Sequence, residues 1–275
     1  MGFTVFFIMK TIWYIEQDVY DDNPEIMMEI VKELGMEGIW FRYTGDIENK
    51  HTEDSCVIVY GSINSSIYVQ RKKPWIPGVW CDFKELKCST YLSHWGKYSV
   101  HKNYLFLPLS EVYRKKDWIF KTFGKTVFIR PDDNSKSFHG ELVADEKFED
   151  WYDTANSYNP GKKCMTLVSE PSKIEAEYRF VISEKKVLTG SQYDEEGIGV
   201  FTFPEDASKL AEEIANSCEF NPHSMYIMDI CKLENKEYRL MEIGSVNCAG
   251  LYACDLRKFV EKMSELGLEE WKDLQ

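Results

Sequence analysis

Several patterns are missing from this 275-residue sequence, and each absence removes a class of function. Basic charge is in deficit: 33 Lys and Arg stand against 46 Asp and Glu, a net charge of −13. Such a balance repels nucleic-acid backbones and anionic membranes unless a local basic patch overrides it, so general nucleic-acid binding is not expected. The apolar start "FTVFFIM" is far shorter than the roughly 20 residues of a membrane span. It has no small-residue cleavage site, and Phe6 stands where a myristoylation signal needs Ser or Thr. The run is expected to be the buried edge of a first strand in a soluble, unprocessed chain. The eight cysteines, Cys56, Cys81, Cys88, Cys164, Cys218, Cys231, Cys248 and Cys254, form no Cys-x-x-Cys and have no neighbouring His at zinc spacing. Reduced, partly buried thiols of a cytoplasmic protein are expected rather than a disulfide or metal framework. Histidines are scattered singly, and only His139 falls in a loop of interest. There is no Gly-Lys-Ser/Thr ending of a P-loop, no Gly-x-Gly-x-x-Gly and no obvious Ser-His-Asp or Cys-His pair.

What is present is a chain 44% apolar and 15% aromatic, enough to bury a substantial core in a compact body of two or three lobes. "TIWYIEQ" predicts a strand. "NPEIMMEIVKELG" predicts a helix capped by Asn23, with Pro24 in its first turn and Gly35 at its stop. "GIWFRY" and "CVIVYGSIN" predict two more strands, and this β-α-β-β order suggests a small open α/β sheet through about residue 100. "LSEVYRKKDWIFKTFG" predicts a connecting helix closed by Gly124. From Val127 onward the texture changes to strands with charged punctuation: "TVFIRP", "GELV", "CMTLVSE", "EAEYRFVI" and "KVLTGSQY". A helix over "PEDASKLAEEIANSC", a hairpin turning at Glu234-Asn235-Lys236 and a closing helix from about Asp255 to Leu266 complete an α+β second half.

The chemistry concentrates in that half. In "MYIMDICKLENKEYRLMEIGSVN", Asp229 and Glu242 each stand among apolar residues on the two arms of the predicted hairpin. A turn near residue 235 sets them nearly opposite across the ladder. Two buried anions side by side are costly without a cation. Mg²⁺, an oxygen-liganded divalent ion, would neutralise them, with Asn247 offering a carbonyl just past the strand. A half-exposed hairpin whose acids pair with Lys232 or Arg239 stays open as the alternative. The stretch "VFIRPDDNSKSFHGELV" carries the opposite charge: Arg130 at a strand end, then Lys136 on a loop whose Ser135, Ser137 and Gly140 suit close approach of a phosphate. Its alternative is an ordinary hairpin turn.

In sequence order these motifs resemble the ATP-grasp ligases over about Val127 to Ala253. The matching elements are a strand ending in Arg130-Pro131, a small-residue loop from Asp132 to Gly140, "LVSEP" then "EYR" with Glu170, Glu177 and Arg179, and the hairpin acids Asp229 and Glu242. The Arg-Pro pair and Lys-Ser-Phe loop are similar to divergent ATP-grasp proteins of phages and bacteria, for which amide-bond formation has been inferred. The resemblance implies an ATP-grasp domain at 106–275 behind an N-terminal α/β lobe at 1–105, with ATP and Mg²⁺ bound. It implies Arg130 on the α or β phosphate, Lys136 and Ser137 in the loop over the β and γ phosphates, Glu170 beside adenine and Glu177 on the ribose. Asp229 and Glu242 match the metal ligands, and Arg179 would hold an acylphosphate or substrate carboxylate. Where the family's metal strand usually reads Glu-x-Asn and then Pro-Gly, here Glu242 is followed by Ile243, Gly244 and Ser245. The third ligand is therefore Asn247 through a bulge, or water. The family's earlier lysine has two candidates, Lys102 and Lys121. The implied reaction is an ADP-forming carboxylate–amine ligation on a small molecule, peptide or protein. A kinase on the same fold and a nucleotide-binding module without catalysis are the alternatives. From the residues alone, Glu177 and Arg179 are equally the polar face of a half-buried strand, Glu170 a solvated strand end.

Overall fold

The computed structural model of the protein describes residues 10–21, 23–47, 54–158, 164–193, 199–200 and 202–275. The expected strand edge at "FTVFFIM" and His51 lie outside them. The first lobe is a parallel sheet in the order β2-β1-β3-β4, with β1 at Lys10–Glu16, β2 at Glu37–Phe41, β3 at Ser55–Tyr60 and β4 at Pro77–Gly78. Strand β3 is buried along its whole length, as a parallel strand covered on both faces should be. Helix α1 (Asn23–Glu33) buries Met27, Met28 and Val31, and helix α2 (Ile63–Lys72) follows a cap in which Ser62 accepts from the Ser65 amide. The hydropathy pattern does not announce α2, because its buried face is Ser65, Ser66 and Val69.

Helix α3 (Cys88–Trp95) leads into a four-stranded antiparallel sheet, order β5-β8-β6-β7, built from β5 (Tyr104–Pro108), β6 (Thr126–Pro131), β7 (Glu141–Ala144) and β8 (Met165–Ser169). The predicted single connecting helix is two, α4 (Leu109–Arg114) and α5 (Lys116–Phe123), broken at Lys115; Gly124 ends the second at a φ of 107°. Helix α6 (Phe148–Ser157) covers this sheet with Phe148, Trp151 and Ala155. Those residues recur at helical spacing, a signal the sequence carried.

The third sheet, order β11-β10-β9-β12-β13, is antiparallel: β9 (Ile174–Ser183), β10 (Lys186–Tyr193), β11 (Gly199–Val200), β12 (Met225–Leu233) and β13 (Tyr238–Gly244). Helix α7 (Glu205–Asn216) packs Ala207, Ala211 and Ile214 on one face. The closing helix α8 spans Leu256–Asp273, about two turns beyond the predicted end, and Asp255 caps it by accepting from the Lys258 amide at 3.0 Å. Its Phe259, Val260, Met263 and Trp271 return to the first lobe's core. Each large side chain so buried contributes about 1.5–3 kcal/mol, which fastens the chain's end to its beginning. No described helix is long and apolar enough to cross a membrane.

Candidate active site

Alternation along β9 and β12 divides the third sheet. Tyr178, Phe180, Met228 and Ile230 enter the core beneath α7, while Val181 and Ile227 on the other face pack against the first lobe. Further along that second face the apolar contact stops and charge begins. Arg179 and Asp229, register partners on neighbouring strands, face a cavity of about 480 Å³. Its other walls include Tyr20, Asp21 and Ile63 from the first lobe, Arg130, Asn134 and Lys136 from β6 and the loop after it, and Glu242 with Ser245, Cys248 and Gly250.

A β-bulge puts Glu242 there. Ile230 pairs with Leu240, but Asp229 pairs with Glu242, so Met241 is the extra residue. Without it Asp229 would oppose Met241; the bulge shifts the ladder by one and sets the two carboxylates side by side.

Each acid has a cation. Arg179 donates through Nε and Nη2 to the two Asp229 oxygens at 2.9 and 2.7 Å, and through Nη1 to the Gly250 carbonyl at 2.7 Å. Its guanidinium lies 5.3 Å from the Tyr193 ring and 4.9 Å from that of Tyr252, and the two rings stack on each other. Arg130 meets Glu242 at 2.9 Å, with side chains 13% and 30% exposed. Burial raises the Asp229 carboxyl in spite of its arginine. At Glu242 burial pushes the same way, but Arg130, Arg179 and Lys136 outweigh it and hold the carboxyl below its ordinary range. The hairpin's alternative partners are engaged elsewhere, Lys232 with Glu175 and Arg239 with Glu237.

The Lys136 loop is more firmly built than its composition suggests. Asp132 accepts from the Ser89 amide and hydroxyl at 2.7 and 2.9 Å. Asp133 accepts from the hydroxyls of Ser135 and Ser137, and Asn134 donates to the Ile243 carbonyl at 2.7 Å. Phe138 is 2% exposed and packs edge-on to Trp151, so it anchors the loop in the second sheet's core. Lys136, at a φ of 54°, is exposed on the cavity wall. Ser137 is turned to Asp133, and the cavity lining does not include it.

Three more expected residues lie off this cavity. Asn247 is fully buried; its amide oxygen accepts from the Trp80 amide at 2.8 Å and its nitrogen donates to the Val59 carbonyl at 2.6 Å. Both ends of its amide are thus engaged in joining the first lobe to the segment after β13. Glu170 is exposed, accepts from Asn103, and lines a separate depression of about 280 Å³ with Lys102, which itself pairs with Glu237. Glu177 shares the Arg179 face, in register with Tyr193 and Cys231, and burial raises its carboxyl. No local pattern marked Tyr20, Asp21, Cys248 or Tyr252 as wall residues, since only the packing of the lobes brings them together.

Asp229 and Glu242 fit Mg²⁺: they are hard oxygen donors in the number that ion takes from a protein when phosphates and water complete its shell. No group of three or more His, Cys, Asp or Glu able to hold a metal occurs among the described residues.

A family model described as an ATP-grasp domain, the second family of its clade, matches residues 108–262, more than half of the chain. No curated protein sequence matches. Among solved structures, a D-cycloserine synthetase is similar with a TM-score of 0.61 at 11% identity, covering 94% of this chain and 99% of that one. An N5-carboxyaminoimidazole synthetase from Staphylococcus aureus gives 0.64 at 10% identity, covering 94% and 77%. A ligase associated with ribosomal peptides from Chryseobacterium gregarium, solved with ADP and leader and core peptide, gives 0.58 at 13% identity, covering 95% and 97%. At these identities the likeness is one of fold.

Proposed function

This chain belongs to the ATP-grasp family, and we propose that it is an ATP-dependent carboxylate–amine ligase, releasing ADP and making an amide or peptide bond on a small molecule or peptide. The observation that carries the reading is the convergence of Arg130, Lys136 and Arg179 with Asp229 and Glu242 on one cavity. Three cations in a low-dielectric wall suit a polyphosphate and the charge that develops as its γ-phosphoryl group moves.

Arg130, part-buried and held by a single acid, binds a phosphate oxygen. Lys136 reaches the terminal phosphate from its left-handed turn. Asp229 and Glu242 would hold Mg²⁺, which when bound neutralises phosphate charge for the transfer. A substrate carboxylate attacks the γ-phosphorus, ADP leaves, and an amine displaces phosphate from the acylphosphate to give the amide. Arg179 keeps N–H groups beyond those given to Asp229 and Gly250, and these orient the carboxylate. Glu177 and Glu170 are assigned to the adenosine end. We also assign nucleotide binding to residues 106–275 and substrate recognition to 1–105, whose Tyr20, Asp21 and Ile63 line the cavity.

Hydroxylamine serves as a general amine in the test. The protein is incubated with Mg-ATP, hydroxylamine and a panel of small carboxylic acids and peptides. ADP and hydroxamate formed in equal amounts support the ligase. A phosphorylated alcohol without hydroxamate would select a kinase, and tight nucleotide binding with no ADP across the panel would select a binding module.

A further inference from the structure

Cys81 and Cys248 are 167 positions apart in sequence, yet their sulfurs lie 3.9 Å apart, the one sulfur–sulfur contact found among the described residues. Their backbones are held in place by neighbours. Trp80 donates its amide to Asn247, Asn247 donates to Val59, and Gln70 donates to the Cys81 carbonyl at 2.8 Å. Access differs between the two: Cys81 is fully buried, whereas Cys248 is partly exposed and lines the cavity with Lys136. One thiol is therefore reachable from solvent, with a second waiting behind it. That is the arrangement of an attacking and a resolving cysteine.

We propose that Cys81 and Cys248 form a reversible disulfide under peroxide and that this bond switches the adjoining cavity off. The Cys248 thiolate attacks a peroxide oxygen, the O–O bond breaks and hydroxide leaves, giving a sulfenic acid. The Cys81 sulfur then displaces that hydroxyl, which departs as water with the Cys81 proton. Two thiols lose two electrons in all, and one hydrogen peroxide becomes two waters.

Bond formation brings the sulfurs from 3.9 Å to about 2.05 Å. The movement falls on the turn after β13, because Cys81 is enclosed on all sides. That turn also carries the Gly250 carbonyl to which Arg179 donates. A displacement of an ångström at a positioning group costs up to roughly 100-fold in rate, and Arg179 also holds Asp229, so oxidation is expected to lower turnover by up to roughly 100-fold and to weaken Mg-ADP binding. The pair stands whether or not the cavity belongs to a ligase.

The test uses the full chain, reduced and then treated with hydrogen peroxide, with the remaining thiols alkylated and the peptides mapped by mass spectrometry. A Cys81–Cys248 linkage lighter by two hydrogens is expected, reversed by dithiothreitol, with Mg-ADP affinity falling and returning in step. In Cys81→Ser, or Cys81→Ala should serine not be tolerated, Cys248 should stop at a sulfenic acid trapped by dimedone, without the linkage. Linkages spread evenly over the eight cysteines, none at this pair, or a complete linkage with unchanged affinity would each overturn the proposal. If the reduced protein binds no nucleotide, the ligase reading fails, and the mapped linkage still decides whether the pair is redox-active.

Discussion

Replacing Arg130 by Met separates the residue's structural role from its proposed one. Methionine keeps part of the apolar stem and removes the guanidinium. In the free protein the loss is felt by Glu242, whose carboxylate is left against Asp229 with its 2.9 Å partner gone. Breaking a fully buried pair costs about 3–5 kcal/mol. Glu242 is 30% exposed and has Lys136 in its surroundings, so about 2 kcal/mol of stability is the discounted expectation. Adding Glu242→Gln removes the orphaned charge, and the double variant should regain most of that loss.

Nucleotide affinity should not follow. A charge-assisted hydrogen bond to phosphate contributes roughly 1.5–3 kcal/mol, a loss of roughly 10- to 160-fold in affinity, and the second substitution supplies no replacement cation. Urea denaturation reports the first quantity and calorimetry with an ATP analogue the second. If the double variant recovers affinity together with stability, Arg130 is only the counter-ion of Glu242 and the phosphate assignment fails.

Lys136 is exposed and its turn is held by Asp133, Asn134 and Phe138, so Lys136→Ala should leave thermal stability within about 0.5 kcal/mol and lower turnover more than ATP affinity; equal loss of both would put its role in ground-state binding. His101 reports on the fold's pH dependence: burial first, then Arg130, takes it from 6.5 to about 3, and its Nδ1 lies 2.9 Å from the Ser169 hydroxyl. Its folded value is depressed, so the unfolded chain binds the extra proton between these limits. The stability it contributes is complete above 6.5 and declines as pH falls toward 3, by on the order of 5 kcal/mol over the whole window. Urea midpoints from pH 7 to 4 should fall less steeply for His101→Asn than for the parent, and parallel curves would refute the assignment.

The parts of the fold legible in the sequence were those written in local pattern. Pro24 and Gly35 bracketed α1, although Asn23, expected to cap it, is its first residue and bonds Leu251 and Tyr252; the hairpin followed from its turn and apolar arms, but the Met241 bulge that sets Asp229 opposite Glu242 did not. Helix α2 was illegible because serines make its buried face, and the break at Lys115 because the Lys-Lys run fits a continuous helix. Phe138 illustrates a different limit: an aromatic in a polar loop reads equally as a cover or an anchor, and only the Trp151 ring beside it decides. Asn247 was drawn to the metal by its place in sequence, yet its partners, Val59 and Trp80, come from the far lobe, where no local pattern reaches.

The partners of the two ion pairs separate roles that the sequence left equal. Asp229 is fully enclosed, with both oxygens on Arg179, and that arginine is further fixed by Gly250 and two tyrosine rings. Glu242 is open to solvent on one side and bonds one arginine. For a nucleotide to bind as proposed, Arg130 must turn to a phosphate and Glu242 to the metal, and each then meets the same sign of charge that it gave up. The exchange adds little desolvation cost, whereas Asp229 would keep Arg179 and meet the metal with its remaining lone pairs, because freeing it would strand a buried guanidinium. Asp229→Asn should therefore cost about 3–5 kcal/mol of stability, and Glu242→Gln only about 1 kcal/mol, with ADP formation lost in the glutamine variant while its fold stays intact. Urea denaturation of the two single variants, read beside ADP release, compares them directly. If Glu242→Gln is the more destabilised, or still turns over ATP, the exchangeable pair is not Arg130–Glu242.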